Sequence, residues 1–76
     1  MTRHWQHPTS AGLARITHNT KTGRYHAWLG DEDLGNYAHP QQAVDDLCGG
    51  HTFWPSSAID PSTLGLPEEL SEWEQV

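Results

Sequence analysis

Apolar and polar residues alternate from Leu13 to His18 and again from Arg24 to Leu29, and this period of two predicts a pair of β-strands. The intervening Asn19-Thr-Lys-Thr-Gly23 has turn composition. It predicts a hairpin closed by a three-residue loop, Lys21-Thr22-Gly23, with Gly23 in the left-handed region. Gly30-Asp-Glu-Asp33 reads as a second turn and Leu34 to Ala38 as a short third strand. At Pro40 the pattern changes. Proline suits the first position of a helix because its missing N–H costs nothing there, and Gly49-Gly50 suits a helix stop. A helix from Pro40 to about Cys48 would put Ala43, Val44, Leu47 and Cys48 on one face, with Gln41, Gln42, Asp45 and Asp46 outward.

Beyond the helix, residues 51–66 hold Pro55 and Pro61 and predict an irregular arm anchored by aromatic residues. A short helix from Pro67 would carry Leu70 and Trp73 on one side. Residues 1–12 lack periodicity and predict a mobile lead-in, leaving one domain over 13–76. The expected fold is α+β: a three-stranded antiparallel meander with one helix packed across it, plus the C-terminal arm and short helix.

A three-residue loop sets a register in which His18 faces His26 and Ile16 faces Trp28. One sheet face then carries Leu13, Tyr25, Ala27, Leu29, Leu34 and Ala38 and seats the helix. The other carries Ala14, Ile16, His18, His26, Trp28 and Tyr37. A face so aromatic is either covered by the C-terminal arm (Phe53, Trp54, Leu64, Leu66, Trp73) or used for contact. Covering is the expectation, because a small domain has little apolar area to spare.

Length and charge narrow the function. Seventy-six residues make one domain, and such a chain buries only roughly 60% of its unfolded surface. Four tryptophans, two tyrosines and one phenylalanine supply the large buried areas that its aliphatic content lacks. The single cysteine excludes an internal disulfide. No apolar run reaches membrane-span length, and the polar start of the chain has no signal core, which predicts a cytoplasmic location and no membrane contact. The net charge is −6, with all four basic residues before position 25 and all ten acids after position 30. Direct nucleic-acid binding needs a basic footprint and is disfavoured.

The candidate chemistry is thin. Six histidines invite a metal, with His4 and His7 three apart, but one cysteine and no CxxC fall short of a zinc site. Cys48 and His51 suggest a nucleophile with its base. A cysteine near a helix C-terminus, however, sits at the negative end of the dipole, which disfavours the thiolate. Asp31-Glu32-Asp33 lacks the oxygen spacing of a calcium loop. Glu68-Glu69 fits favourable charge at a helix start. The expectation is therefore a non-enzymatic chain with no metal and no cofactor.

Leu34-Gly35-x-Tyr37, Ala43-Val44, Gly50-His51-Thr52-x-Trp54 and Leu66-Pro67-x-x-Leu70-x-x-Trp73 together resemble a pattern in small uncharacterised bacterial and phage proteins. The likeness spans about residues 24–73, and Phe53 departs from the small residue expected there. That group carries no established activity to transfer. In size, acidity and lack of catalytic motifs the chain is also similar in type to anti-CRISPR inhibitors. Its strand–helix order is similar to integrase-type DNA-binding modules, without their basic strand residues. The expectation is a small acidic protein-binding inhibitor or modulator of a larger basic, nucleic-acid-handling protein, of anti-CRISPR type; its acidic half either imitates phosphate charge or only keeps a small protein soluble. Its expected contact residues are Asp31, Glu32, Asp33, Asp45, Asp46, Trp28 and Trp54. The alternatives are an adaptor that binds a protein through its aromatic face, and a histidine-based metal binder.

Overall fold

The computed structural model describes residues 4–52, 55 and 59–76. Its architecture is α+β, a five-stranded antiparallel sheet with one helix packed across it. The strands are β1 (His4–Thr9), β2 (Gly12–Asn19), β3 (Arg24–Leu29), β4 (Glu32–Tyr37) and β5 (Glu74–Gln75), and the helix α1 is Pro40–Gly49. The sheet order is β4-β3-β2-β1-β5.

Two strands exceed the three expected. The first occupies the stretch read as a lead-in. Pro8 argues against a strand by removing a ladder donor, but it pairs with Leu13 on one side only, because β5 meets β1 just at Trp5 and Gln6. Thr9 closes the β1–β2 turn, its Oγ1 donating to the Gly12 carbonyl at 2.5 Å and accepting from the Ala11 N–H at 3.0 Å. The second extra strand, β5, is two residues long and carries no periodicity to read.

The β2–β3 register differs from the expected one by a single residue. Asn19 pairs with Arg24, so four residues lie in the turn. Gly23 is left-handed, with φ 74°, and donates to the Asn19 carbonyl at 2.8 Å. Asn19 Oδ1 also accepts from the Lys21 N–H at 3.0 Å, and this Asx turn lengthens the loop. His18 therefore faces Tyr25, Ile16 faces Ala27, Thr17 faces His26 and Arg15 faces Trp28. A one-residue slip turns every β2 side chain to the other face. Ala14, Ile16 and His18 thus join Tyr25, Ala27 and Leu29 on the helix side, and Leu13, Arg15 and Thr17 join His26 and Trp28 on the other.

Helix α1 meets both ends as the sequence implies. Pro40 opens it after His39, and Gly50 closes it in the left-handed region with φ 72°. The His51 N–H reaches the Asp46 carbonyl at 2.9 Å and the Gly50 N–H reaches that of Leu47 at 3.4 Å, the paired bonds of a Schellman ending. Ala43, Val44 and Leu47 are fully buried against Ala14, Ile16, Ala27, Leu29 and Leu34. Complete burial of side chains such as Ile16 and Leu47 contributes roughly 1.5–3 kcal/mol each.

The arm lies on this same helix side. Leu66 and Trp73 belong to the core, with Leu64 and Leu70 packed against it. The expected cover over the opposite face is therefore not provided by these four residues; Phe53 and Trp54 lie outside the described residues. In place of a helix from Pro67 there is a single 3-10 turn, Leu70–Glu72, and an earlier one at Pro61–Thr63. Asp60 caps the earlier turn, accepting from the Ser62 N–H at 2.9 Å and its hydroxyl at 2.8 Å.

One side chain ties the arm to the helix. Gln41, expected to face solvent, donates from Nε2 to the Glu68 carbonyl at 2.9 Å and accepts the Leu70 N–H on Oε1 at 3.1 Å. Gln41→Ala would leave both backbone groups without their partner, and an unfolding-midpoint shift equivalent to about 1–3 kcal/mol is expected in urea. A shift within error of the parent would show that water replaces the amide without loss.

Candidate contact surface on the open sheet face

The face of the sheet away from α1 carries a connected polar lattice around one indole. Cross-strand pairing sets Gln6, Arg15, Trp28 and Asp33 in one row and His4, Thr17, His26 and Asn36 in the next. The Trp28 Nε1–H donates to Thr17 Oγ1 at 2.9 Å, and the Arg15 guanidinium lies 5.5 Å from the centre of the indole ring. Such cation–π contact contributes roughly 0.5–1 kcal/mol at an exposed site. Arg15 is held in turn by the Gly30 carbonyl, at 3.2 Å. His26 sits 6.5 Å from the Trp28 ring, and its Nδ1 lies 2.7 Å from Asp33 Oδ2. Arg24 donates through Nε to Asn36 Oδ1 and through Nη2 to the Asn36 carbonyl. Leu13 adds an exposed apolar side chain at 37% accessibility.

A bulge in β4 keeps Asp33 on this face. Gly35 pairs with Ala27 and Asp33 with Trp28, so Leu34 is the extra residue and turns into the core, 1% exposed. Gly35 takes φ +140°, and a Cβ built there would lie 3.2 Å from the Tyr37 hydroxyl. The Leu-Gly-x-Tyr run is thus a bulge, a glycine that permits it, and a ring laid over that glycine.

Tyr37 titrates high, pushed up to about 12 by burial first, then by its hydrogen bond to Asp46 and that carboxylate's charge, and last by Asp33. A raised phenol pKa means that the folded state favours the neutral hydroxyl. The stabilisation is complete below the ordinary tyrosine pKa of about 10 and is lost as pH rises toward 12. Absorbance titration should therefore show Tyr37 ionising late, near pH 12, with stability falling through that window. In Asp46→Asn the late step should move down. An unchanged titration would separate Tyr37 from Asp46.

The acidic residues singled out in the sequence do not form one surface. Asp31 is exposed in the β3–β4 turn, Glu32 is half-buried, and Asp33 is bonded to His26 and to the Gly35 N–H. Asp45 is exposed and accepts from Gln41, whereas Asp46 is half-buried on Tyr37 and is not the free outward charge expected of it. Trp54 lies outside the described residues. On the helix side, Asp45, Glu68 and Glu69 line an open groove of about 500 Å³ together with Gln41, Cys48 and Gly49. The Cys48 thiol points at the Leu66 and Pro67 carbonyls, at 3.5 and 3.4 Å. Burial, then the charges of Glu68 and Asp45, push it up and keep it protonated.

His26 and His18 lie on opposite faces, and His18 stacks on Tyr25 with ring centres 4.5 Å apart. Among the described residues no group of three or more histidine, cysteine, aspartate or glutamate side chains is placed to hold a metal ion. Among the same residues no helix is long and apolar enough to cross a membrane. Sequence reasoning named Trp28 but missed Arg15 and Thr17, its immediate partners. Their signal was present in the strict alternation Ala14-Arg15-Ile16-Thr17, which sends both polar residues to one face once the turn length is known. No family model matches the chain, and no curated protein or solved structure is significantly similar to it.

Proposed function

We propose that this chain is a non-enzymatic protein-binding module whose contact surface is the open face of its sheet. The observation that carries the reading is Trp28, held by Thr17 and Arg15 on a face that the helix, Leu66 and Trp73 leave free. Tryptophan and arginine are the residues most enriched at the energetic centres of protein interfaces. A side chain already fixed by hydrogen bonds also loses less entropy on docking. Of the functions weighed from the sequence, the adaptor binding through an aromatic face fits best. The test compares proteins co-purifying with the parent and with Leu13→Glu, a change on the exposed part of the face that leaves the core untouched. Loss of the partner with an unchanged melting temperature supports the reading, and undiminished capture contradicts it.

The charge-mimic modulator of a basic partner keeps one supporting observation, the convergence of Asp45, Glu68 and Glu69 on a single groove. In that case affinity falls as salt rises, and Asp45→Lys with Glu69→Lys slows association more than it speeds dissociation. Asp46 is left out of the set because its reversal would also break the Tyr37 contact.

A further inference from the structure

A second cavity runs along the outer edge of β4, apart from the acidic groove. It measures about 340 Å³, and its described lining is Leu34, Gly35, Asn36, Tyr37, His51 and Thr52. Successive strand residues turn to opposite faces, so a cavity bordered by four in a row follows the edge of the strand rather than either face. The inner edge of β4 is filled by β3, which leaves the outer one, with the two residues after Gly50 as the facing wall. Thr52 is 8% exposed, and its hydroxyl is buried with no hydrogen-bond partner among the described residues. Folded proteins seldom keep a buried hydroxyl unpaired unless something else pairs with it. We propose that this cavity binds a small, flat, uncharged heterocycle of the nucleobase class, hydrogen-bonded along its edge to Thr52 and Asn36, with its ring against Tyr37.

The lining selects this chemistry. None of the six residues carries a fixed charge, and the charges at the border are of both signs, with Arg24 on Asn36 and Asp33 and Asp46 toward Tyr37. A phosphate would need a cation or a helix N-terminus, and the lining offers neither, so the base is proposed without its nucleotide. A threonine hydroxyl both donates and accepts, and Asn36, whose Oδ1 takes the Arg24 bond, keeps its Nδ2 donors. Nucleobase edges set donors beside acceptors and suit such a pair. Tyr37 supplies an aromatic wall held in place, its ring laid over Gly35 and its hydroxyl bonded to Asp46. The His51 ring lies back over Gly49, which has no side chain to displace it. The Thr52 oxygen is closed to bulk water, and a ligand reaches it by a χ1 step that turns the hydroxyl. Ligand cavities span about 300–1,000 Å³, and this one stands at the small end.

The test titrates adenine, cytosine and uracil, each as the free base, into the isotope-labelled full chain and follows its amide resonances. Saturable binding of at least one base is expected, with shifts centred on residues 34–37 and 51–52. Thr52→Val removes the hydroxyl and keeps the shape of the side chain. It should weaken that base about tenfold or more while the melting temperature stays level or rises, because the hydroxyl has no partner to lose in the free protein. A merely structural threonine would move the melting temperature and leave the affinity alone. No binding by any of the bases, shifts centred elsewhere, or equal affinity in Thr52→Val would each overturn the proposal. Tighter binding of the nucleoside monophosphate, or equal binding of benzene, would do the same, since the first calls for a cation and the second for no hydrogen bond. The shift map and the benzene comparison use the parent chain and decide the matter even where Thr52→Val fails to fold. Neither Trp28 nor Arg15 takes part, so the open-face module stands or falls separately.

Discussion

Trp73→Ala is expected to cost about 3–5 kcal/mol of folding stability, the range for removing a large aromatic side chain from a core. The residue is 4% exposed and belongs to the same buried cluster as Ile16, Leu47 and Trp5. Its ring lies 5.8 Å from that of His7, and its Nε1–H donates to the Pro67 carbonyl at 3.0 Å. Trp73 also directly precedes β5, so its anchoring sets the pairing of Glu74 and Gln75 with β1. For a domain of this length total stability is on the order of 4–11 kcal/mol, so the loss takes from about a quarter of it to all of it. Trp73→Phe keeps most of the packing and loses the indole donor, and should fall between the two. Urea denaturation of the three chains gives the ordering. A Trp73→Ala midpoint equal to the parent's would mean that the arm does not contribute to the core.

Gly35→Ala should be the next most damaging change, although it adds only a methyl group. At φ +140° the backbone is in a region that side-chain-bearing residues rarely adopt, which costs about 1–3 kcal/mol. The new Cβ also meets the Tyr37 hydroxyl at 3.2 Å and pushes it from its place beside Asp46. Relief by flattening the backbone would erase the bulge, and Leu34 and Asp33 would then exchange faces. The expected result is a destabilised protein in which the late tyrosine ionisation moves toward the ordinary value. A Gly35→Ala chain as stable as the parent, with its high-pH titration intact, would show that β4 accommodates the change without strain.

The fold class, the helix and its two ends were legible in the sequence because each rests on local chemistry. Pro40 and the Gly49-Gly50 pair define the helix without reference to anything distant. What depended on partners far along the chain was not legible. The first strand contains Pro8 and exists because β2 pairs with it, and β5 exists because Trp73 is buried. The register failed by one residue at the Asn19–Gly23 turn, where Asn19 Oδ1 caps the Lys21 N–H and lengthens the loop. That slip hid the proposed contact surface, because it placed Ile16 beside Trp28 where Arg15 stands. Charge was misleading for a related reason. Counting acids says nothing of Asp46 spent on Tyr37 or of Asp33 bonded to His26.

The most direct measurement is a comparison of co-purification from the native host, scored by mass spectrometry, for the parent, for open-face variants and for groove variants. Leu13→Glu and Trp28→Ala alter the open face, while Asp45→Lys and Glu69→Lys alter the acidic groove, and each variant is first checked for an unchanged circular dichroism spectrum. If the open face is the contact surface, both changes there abolish recovery of the same partner and the groove reversals leave it in place. Recovery that survives Leu13→Glu and Trp28→Ala but disappears with the groove reversals would contradict it.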